Sequence, residues 1–425
     1  MGLPELIEIE PLNAPVEAEI PVPGSKSVTN RALVLAALAE GPVRLQGALW
    51  SEDTQVMTEA LRRLGFRIEV APDPCEPCNR ILLVHGQGGR VPPGGTEKQP
   101  LELYTANAGT AARFLAALAA LGTGVYRLDG APRMRERPQA GLFQALRSLG
   151  CRVDSPNERL PATIHGIGRR PGTCRVSLAQ SSQFASALLL AGHAGRWRVE
   201  IEDEDEEAGG YVEMTRRIIE VFPFQGGEFA IEPDASSGSY FLAADWLLRR
   251  RFGQGRVQVR NWPSSGWQVD QQFTRFLPPR RTVSRRTDLG DSILTAMILA
   301  PFGEAPVQFV DLGRLRVQEC ERVRAMRTEL TRCGCRVEES GDTLTIHPSP
   351  ARGATIETYN DHRIAMAFAA LGLFAPGMRI RSPACVSKTF PNFFAKLAAP
   401  PPEGLGARLR DAETGRLLKP NGLTA

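Results

Sequence analysis

The sequence predicts an α/β protein assembled from a repeated subdomain of helices and short strands. Three stretches share a helix end, a glycine and an alternating strand: LRRLGFRIEV at residues 61–70, LRSLGCRVDS at 146–155 and LTRCGCRVEE at 330–339. A second strand follows each of them, as ILLVHG, ATIHG and LTIHP. The first two copies lie much further apart than the repeats of a solenoid, so we infer a duplicated α/β subdomain.

The joints between helix and strand follow ordinary rules. Gly65, Gly150 and Gly334 each follow the last apolar residue of a helix, where the left-handed C′ position favours glycine. The Arg-Ile or Arg-Val pair that comes next begins the two-residue period of a strand. Each copy is therefore predicted to be a helix followed by a pair of short strands.

Two further copies lack parts of the pattern. RRIIEVFPFQGGEFAIEP, from Arg216, reaches the next unit almost at once, and FTRFLPPRRTVSRRTDLGD, from Phe273, replaces strands with a connection rich in proline and arginine. We expect two truncated subdomains. The last stretch, residues 400–425, has no apolar period and is predicted to be a flexible tail.

The amino-acid composition indicates a globular protein and narrows the kinds of ligand that we expect it to bind. The 425 residues are 42% hydrophobic and 23% charged, which is typical of a globular protein with two or more cores. The net charge is +4, and few aromatic residues stand between the cations, so small acidic ligands are expected and nucleic acid is not. The first residues lack a signal pattern, and no apolar run is long enough for a membrane span. We expect a cytoplasmic monomer.

The cysteines and histidines do not predict a metal site. Eight cysteines are scattered along the chain, and neither Cys75-Glu-Pro-Cys78 nor Cys333-Gly-Cys335 has the spacing of a zinc finger. The five histidines show no HExxH pairing. We expect reduced thiols and no metal.

A lysine, a serine and an arginine gather at the start of an apolar helix in PGSKSVTNRALVLAALAEG, residues 23–41. The start of a helix has unpaired backbone N–H groups and a positive dipole end, which attract anions. Lys26, Ser27 and Arg31 add charges and a hydroxyl donor, so the stretch predicts a phosphate or carboxylate site. A capped surface helix with solvated cations is the alternative.

Five further stretches repeat this chemistry. Gly109 lets the backbone approach a ligand at the start of another apolar helix, and Arg133 lies in the loop APRMRERP. Residues 181–183, SSQ, offer neutral donors, Arg363 of NDHR begins a helix that is apolar all round, and Lys388 follows in SKTFPNFF. A capped helix or a solvated loop would explain any one stretch. Together they indicate a ligand with more than one anionic group.

The motifs PGSKSVTNRA, NAGTAAR, PRMRERP, SSQF, PDASSGSYF, YNDHRIAMAF and SKTFP occur in one order over residues 20–395. In this the chain resembles the 5-enolpyruvylshikimate-3-phosphate synthase family, the 3-phosphoshikimate 1-carboxyvinyltransferases. The resemblance implies a two-domain enolpyruvyl transferase fold, an inside-out α/β barrel of βαβαββ subdomains. One domain would comprise residues 1–24 and 233–425 and the other residues 25–232, with ligands closing the hinge.

The resemblance also implies an activity. The enolpyruvyl group of phosphoenolpyruvate would be transferred to the 5-hydroxyl of shikimate 3-phosphate, and phosphate would leave. This is a step of the shikimate pathway to chorismate and the aromatic amino acids. The acceptor hydroxyl would attack C2 while C3 takes a proton, and the tetrahedral intermediate would then lose phosphate. Neither a metal nor an organic cofactor is implied.

By resemblance, residues of this chain fall into three roles. The phosphoenolpyruvate ligands would be Lys26, Gly109, Arg133, Gln183, Arg322, Arg363 and Lys388. The acceptor ligands would be Lys26, Ser27, Arg31, Ser181, Ser182, Gln183, Tyr211, Asp291 and Gln318. The catalytic residues would be Asp291, as base or hydroxyl orienter, Glu319 and Lys388, which handle protons at the methylene carbon, and Lys26.

Three positions depart from the family pattern on the acceptor side. A serine of the family is Ala208 here, an asparagine is Arg314 and a lysine is Gln318. Three hypotheses follow: a synthase that uses shikimate 3-phosphate, an enolpyruvyl transferase that uses another polyol or cyclitol, and an inactive ligand-binding homologue. Turnover of shikimate 3-phosphate would distinguish the first from the others.

Overall fold

The computed structural model of the chain describes residues 2–202 and 206–425, without the side chains of residues 206–209. The chain divides into two compact units. The first unit comprises Met1–Pro23, Pro233–Ser264 and Val269–Ala425, and the second unit comprises Gly24–Glu232 and Ser265–Gln268.

The described residues form strands and helices with the following bounds. The strands are β1 (Leu6–Ile9), β2 (Glu17–Ile20), β3 (Pro42–Leu49), β4 (Ile68–Pro72), β5 (Asn79–His85), β6 (Leu101–Tyr104), β7 (Thr123–Asp129), β8 (Arg152–Asp154), β9 (Ala162–Ile167), β10 (Gly172–Ser177), β11 (Trp197–Glu202), β12 (Gly227–Ala230), β13 (Arg256–Val259), β14 (Thr282–Ser284), β15 (Val307–Val310), β16 (Val337–Ser340), β17 (Thr343–Ile346), β18 (Thr355–Ile356), β19 (Met378–Arg381) and β20 (Leu409–Asp411). The α-helices are α1 (Lys26–Leu38), α2 (Glu52–Arg63), α3 (Gly109–Ala120), α4 (Pro132–Glu136), α5 (Ala140–Ser148), α6 (Ser182–Gly195), α7 (Glu206–Val221), α8 (Ala235–Phe252), α9 (Ile293–Leu299), α10 (Arg322–Arg332), α11 (His362–Gly372) and α12 (Phe393–Ala398). The 3₁₀ helices are Val269–Phe276, Ala300–Phe302, Gly313–Val317, Pro383–Lys388 and Pro420–Gly422.

The predicted joints are confirmed. Gly65, Gly150 and Gly334 have φ angles of 95°, 85° and 83°, a backbone conformation that residues with a Cβ rarely adopt. Each glycine ends a helix and leads into a strand of an antiparallel pair, β4 with β5, β8 with β9 and β16 with β17. The repeat therefore consists of an α-helix and a two-stranded hairpin, as the sequence predicts.

The second unit has its helices inside. Helices α1, α3 and α6 contact one another, and every residue of α3 is buried. Each also contacts a different sheet: α1 packs on β3 and β5, α3 on β7 and β9, and α6 on β10 and β11. The sheet orders are β12-β3-β5-β4, β6-β7-β9-β8 and β10-β11. Helices that are apolar on all sides are buried in this way.

The first unit repeats this arrangement. Helices α8, α9 and α11 contact one another, and all residues of α9 and α11 are buried. Its sheet orders are β18-β19-β1-β20, β14-β15-β17-β16 and β13-β2. In the described part of the chain each unit thus has one sheet of only two strands, β10-β11 and β13-β2. These sheets lie in the two subdomains for which the sequence predicts missing strands.

One boundary differs from the sequence expectation. Ser265–Gln268 belong to the second unit although residues on both sides belong to the first. The ring of Trp267 stacks on Phe229 with centroids 5.7 Å apart, and Gln268 Nε2 donates to Glu232 Oε1 at 2.8 Å. These contacts hold the short segment on the second unit.

Residues 400–425, predicted to be a flexible tail, contain a strand and three buried leucines. β20 pairs antiparallel with β1, and Leu405, Leu409 and Leu423 are at most 1% exposed. The backbone N–H of Ala425 donates to Pro391 O at 2.8 Å. The few apolar residues of this stretch have no period, so their burial depends on β1, a strand at the opposite end of the chain.

None of the described helices is long and apolar enough to cross a membrane.

Candidate active site

Three guanidinium groups surround the carboxylate of Asp291, which lies between β14 and α9. Its Oδ1 is 3.4 Å from Arg322 Nη1 and 3.6 Å from Arg285 Nη2, and its Oδ2 is 3.4 Å from Arg363 Nη2. Burial by itself would raise the pKa of Asp291, but the charges of Arg363, Arg322 and Arg285 outweigh it and hold the pKa below its ordinary value. The carboxylate is therefore ionised near neutral pH and can accept a proton.

Arg322, the first residue of α10, is held by protein acceptors. Its Nε and Nη2 donate to the two oxygens of Asp361 at 2.7 and 3.2 Å, and Nη2 also lies 3.0 Å from Glu319 Oε2. Its Nη1 donates to Gln318 Oε1 and faces Asp291. The side chain is 1% exposed. Its five donors therefore face five protein oxygens, in a geometry that suits the planar guanidinium.

Arg363 differs from Arg322 because part of its guanidinium lacks a partner. Asp361 caps α11 by accepting a hydrogen bond from Arg363 N at 2.9 Å, which fixes the start of the helix. The Nη2 group faces Asp291 and lies 4.0 Å from Asp234 Oδ2. Nε and Nη1 are buried and have no hydrogen-bond partner among the described residues. Buried donors of a charged group are normally satisfied, so these two nitrogens are available to an anionic ligand, beside the Tyr240 hydroxyl that interacts with the same guanidinium.

Glu319 and Lys388 form a second pair beside this cluster. Lys388 ends the 3₁₀ helix Pro383–Lys388, and its Nζ lies 3.7 Å from Glu319 Oε1. The two side chains are 8% and 11% exposed. Within the first unit the structure thus brings together the predicted residues Asp291, Gln318, Glu319, Arg322, Arg363 and Lys388 through these contacts.

In the second unit, Lys26 begins α1 and pairs with a carboxylate that follows β3. Its Nζ lies 2.9 Å from Asp53 Oδ2, and the Asp53 side chain is 3% exposed. Ser25, the N-cap residue of α1, makes no capping hydrogen bond with its side chain, and its Oγ is buried without a partner among the described residues. The start of α1 therefore keeps donors that an anion can use.

Arg31 lies deeper in the same unit and donates only to neutral oxygens. Its Nε donates to Thr215 Oγ1 at 2.7 Å, and its Nη2 to Ser186 Oγ at 2.9 Å and to Tyr211 O at 3.3 Å. Its Nη1 donates to Ser27 O at 3.0 Å. Burial lowers the pKa of Arg31 to about 10. The guanidinium remains charged at neutral pH, and its role as an acceptor ligand stays a prediction.

Gly109, the first residue of α3, leaves room for two arginines. A Cβ there would lie 2.7 Å from Arg137 Nη2 and 2.9 Å from Arg113 Nη1. Arg113 and Arg137 are 2% and 8% exposed. Arg133 is different, since its side chain is 38% exposed and its Nη1 pairs with Glu136 Oε2 at 2.6 Å. The buried cations at this helix start are thus Arg113 and Arg137 rather than Arg133.

The predicted polar groups at α6 lie at the start of the helix. Ser181 is the N-cap residue, and its Oγ accepts a hydrogen bond from Gln183 N at 3.2 Å. Ser182 is the first helical residue, and the buried Oε1 of Gln183 has no hydrogen-bond partner among the described residues. Ser181 therefore acts as an ordinary cap, while the Gln183 amide retains an acceptor for a ligand.

The three departures have different surroundings. Gln318 accepts a hydrogen bond from Arg322 Nη1, so its amide is part of the cluster around Asp291. Arg314 lies in the 3₁₀ helix Gly313–Val317. Ala208 lies outside the residues whose side chains are described.

Sequence reasoning missed residues that act through distant contacts. Asp53 looks like an ordinary residue in the first turn of α2, and Arg285 looks like part of a solvated basic connection. Asp361 belongs to a recognised motif, but its two bonds to Arg322 join residues 39 positions apart. No local pattern identifies Asp53 or Arg285, whereas Asp361 is recognisable as a cap from its place before an apolar helix.

Among the described residues, no group of three or more His, Cys, Asp or Glu side chains is arranged to hold a metal ion. Cys75 is exposed, and Cys78 and both members of the Cys333/Cys335 pair are buried.

The arrangement of the chain matches solved structures over nearly its full length. An EPSP synthase from Acinetobacter baumannii superposes with a TM-score of 0.70, at 22% identity, over 92% of this chain and 97% of that chain. The enolpyruvyl transferase NikO from Streptomyces tendae gives a TM-score of 0.68, at 15% identity, over 96% and 99%. The fold is thus the two-domain enolpyruvyl transferase fold, and the predicted fold class is confirmed.

Sequence comparisons identify the family. Residues 12–277 and 285–397 match the family model of EPSP synthase (3-phosphoshikimate 1-carboxyvinyltransferase). A 3-phosphoshikimate 1-carboxyvinyltransferase of Opitutus terrae is 40% identical, covering 94% of this chain and 98% of the relative. One of Trichormus variabilis is 36% identical, covering 92% and 98%. The chain belongs to the EPSP synthase family, which confirms the resemblance seen in the motifs.

Proposed function

We propose that this protein transfers the enolpyruvyl group of phosphoenolpyruvate to the 5-hydroxyl of shikimate 3-phosphate and releases phosphate. The reaction is a step of the shikimate pathway to chorismate and the aromatic amino acids. Relatives that are 36–40% identical over nearly the whole chain carry the name of this activity, which supports the proposal. The single structural observation that carries it is the buried Arg363, whose Nε and Nη1 lack partners beside the ionised Asp291.

The proposed phosphoenolpyruvate site uses cations to hold a phosphate and a carboxylate. Charged hydrogen bonds from arginine are strong and often bidentate, and such donors stabilise charge that develops at the reacting centre. Each ligand here is assigned through the family motifs. The ligands are Lys26, Gly109, Arg133, Gln183, Arg322, Arg363 and Lys388.

The proposed acceptor site lies around the hydroxyl that reacts. Asp291 orients this hydroxyl and accepts its proton; the lowered pKa of its carboxyl keeps it ionised at neutral pH, and at the same time makes it a weaker base. The remaining acceptor ligands bind through hydroxyl, amide and cationic groups. They are Lys26, Ser27, Arg31, Ser181, Ser182, Gln183, Tyr211 and Gln318.

The proposed reaction is addition followed by elimination. The acceptor oxygen forms a bond to C2 of phosphoenolpyruvate while Asp291 takes the hydroxyl proton and C3 gains a proton from the Glu319–Lys388 pair. The C2–O bond to phosphate then breaks, and C3 returns its proton. Glu319 and Lys388 are assigned this exchange because their charged groups lie 3.7 Å apart and are shielded from solvent. We further propose a cytoplasmic, monomeric enzyme that needs no cofactor.

Phosphate release tests the proposal. Purified protein is given phosphoenolpyruvate with and without shikimate 3-phosphate, and the enolpyruvyl product is identified by mass spectrometry. We expect release only when both substrates are present. If a folded sample binds phosphoenolpyruvate but releases no phosphate, shikimate 3-phosphate is not the acceptor. Formation of the enolpyruvyl product would establish shikimate 3-phosphate as the acceptor.

Paired variants test the role of Arg363. We expect Arg363→Gln to lower kcat/KM for phosphoenolpyruvate by about 100-fold or more, because it removes charged donors from the site. Arg379→Gln is the matched control, since Arg379 is 46% exposed on β19 and its Nε lies 3.1 Å from Glu8 Oε2 in a partly exposed pair. An equal fall in both variants would show that loss of any arginine, rather than loss of a ligand, explains the result.

A second candidate is transfer to another polyol or cyclitol. It is favoured by Gln318, whose carbonyl oxygen accepts a bond from Arg322 at a position where the family has a lysine. The phosphate-release assay with other hydroxylated acceptors distinguishes the two candidates, because only the second predicts activity without shikimate 3-phosphate.

A further inference from the structure

A buried carboxylate outside the proposed ligand set, that of Asp270, is hydrogen-bonded to the backbone of Asp291 and its neighbours. Asp270 is 5% exposed and belongs to the 3₁₀ helix Val269–Phe276, in the region where the sequence lacks strands. Its Oδ1 accepts hydrogen bonds from Gly290 N at 2.6 Å and from Ser292 N at 3.3 Å, and its Oδ2 accepts one from Asp291 N at 3.1 Å. Ser292 Oγ also donates to Oδ1 at 2.5 Å. Four donors thus bind one carboxylate.

These bonds occupy the start of α9. Ser292 is the N-cap residue of this helix and makes no capping hydrogen bond with its own side chain. The backbone N–H groups at a helix start need acceptors, and Asp270 supplies them from a different segment. The Asp270 carboxylate therefore binds the backbone N–H groups at the start of α9. These include the N–H of Asp291 itself and those of its two neighbours, Gly290 and Ser292.

Two further contacts join the 3₁₀ helix of Asp270 to the loop that precedes α9. A Cβ on Gly290 would lie 2.8 Å from Asp270 Oδ2, so a glycine is needed for the carboxylate to approach the backbone. Gln272, on the same 3₁₀ helix as Asp270, donates from Nε2 to Asp288 O at 2.6 Å. The helix therefore holds the loop before Asp291 at two points.

We propose that Asp270 is a positioning residue for enolpyruvyl transfer: it fixes the backbone of residues 290–292 and thereby aims Asp291 at the reacting hydroxyl. The inference rests on the proposed function. Asp291 has guanidiniums at 3.4 to 3.6 Å on several sides, and without a fixed backbone its carboxylate would be drawn towards one of them. Displacement of a reacting group by about 1 Å costs about 100-fold in rate.

A double-mutant cycle tests the proposal. We expect Asp270→Asn to lower kcat by about 100-fold with the affinity for phosphoenolpyruvate unchanged, because Arg322 keeps its bonds to Asp361. In the background of Asp291→Asn, the change at position 270 should cost nothing more, since the two residues act as one unit. A residue needed only for folding would instead lower the melting temperature and leave kcat per folded molecule unchanged.

Two other variants sharpen the result. Gly290→Ala places a methyl group against the Asp270 carboxylate and so disturbs the same contact without changing Asp270 itself. It should also lower kcat without changing phosphoenolpyruvate binding. Asp245→Asn is the matched control, since Asp245 is also a carboxylate of the first unit that accepts a bond from a backbone amide, Val257 N at 2.6 Å, and it takes no part in holding residues 288–292. We expect it to keep the parent kcat.

The outcomes separate the inference from the proposed function. If the unsubstituted protein turns over shikimate 3-phosphate and Asp270→Asn does so equally fast, the positioning role is wrong and the function stands. Multiplicative effects of the changes at 270 and 291 would also overturn the inference. If the unsubstituted protein releases no phosphate, the proposed function fails and takes the positioning role with it.

Discussion

Asp361→Asn tests whether the buried ion pair with Arg322 holds the first unit together. Asp361 is fully buried, and both of its oxygens accept bonds from Arg322, at 2.7 and 3.2 Å. It also caps α11 through Arg363 N. Asparagine keeps the size of the side chain and an oxygen for the cap, so the substitution removes mainly the charge.

The expected cost follows from the partners that remain. Removing one member of a buried ion pair costs about 3–5 kcal/mol, because the other charge is left buried. Glu319 at 3.0 Å and Asp291 at 3.4 Å still balance Arg322, so we expect the lower end of this range, about 3 kcal/mol. At about 2–4 °C per kcal/mol for a unit of this size, the melting temperature of the first unit should fall by about 6–12 °C.

Calorimetry, which can report the two units separately, measures this shift. Glu8→Gln is the control, because the Glu8–Arg379 pair is partly exposed and should contribute at most about 1 kcal/mol. A fall of less than about 2 °C for Asp361→Asn would refute the reasoning, since less than about 1 kcal/mol would then be lost with the buried charge.

Three other predictions concern separate parts of the molecule. Leu409→Ala should destabilise the first unit by about 2–5 kcal/mol in denaturant unfolding, because the side chain is fully buried in a segment that sequence alone predicts to be flexible. Lys26→Met should abolish most phosphate release, whereas Asp53→Asn should cause a smaller fall, since Asp53 contacts Lys26 at 2.9 Å and is not itself a proposed ligand. Iodoacetamide at pH 8 should alkylate Cys75 first, as mapped by mass spectrometry, because Cys75 is exposed while burial raises the pKa of thiols such as Cys151, to about 12, and keeps them protonated.

Local patterns predicted well where the helices that carry the proposed ligands begin. Helices α1, α3, α6 and α11 begin at Lys26, Gly109, Ser182 and His362, within a residue or two of the polar groups singled out in the sequence. An apolar run preceded by serine, asparagine or glycine is a signal contained in a few neighbouring residues. The same holds for the glycines that end the repeated helices.

Contacts between distant segments could not be predicted in this way. In residues 400–425, β20 pairs with β1, about 400 residues away along the chain, and nothing near Leu409 indicates that partner. Asp270 lies 20 to 22 residues before the amides it binds, in a segment that looks like an irregular connection. Such pairings depend on which elements the fold brings together, so a sequence pattern of one or two turns does not contain them.

Arg322 and Arg363 match the family motifs in the same way, but their hydrogen-bond partners differ. Arg322 is the first residue of α10 and Arg363 the second residue of α11, both side chains are buried, and both match the family motifs as phosphoenolpyruvate ligands. Yet the five donors of Arg322 face Asp361, Glu319, Gln318 and Asp291, whereas Arg363 keeps two buried nitrogens without a partner among the described residues. For Arg322 to bind an anion it must give up Gln318 or Asp291, while Arg363 can bind one with its present partners in place. If Arg322 gives up Asp291 on binding an anion, that carboxylate loses one guanidinium neighbour and its pKa rises, which would couple occupation of the anion site to the basicity of the proposed proton acceptor.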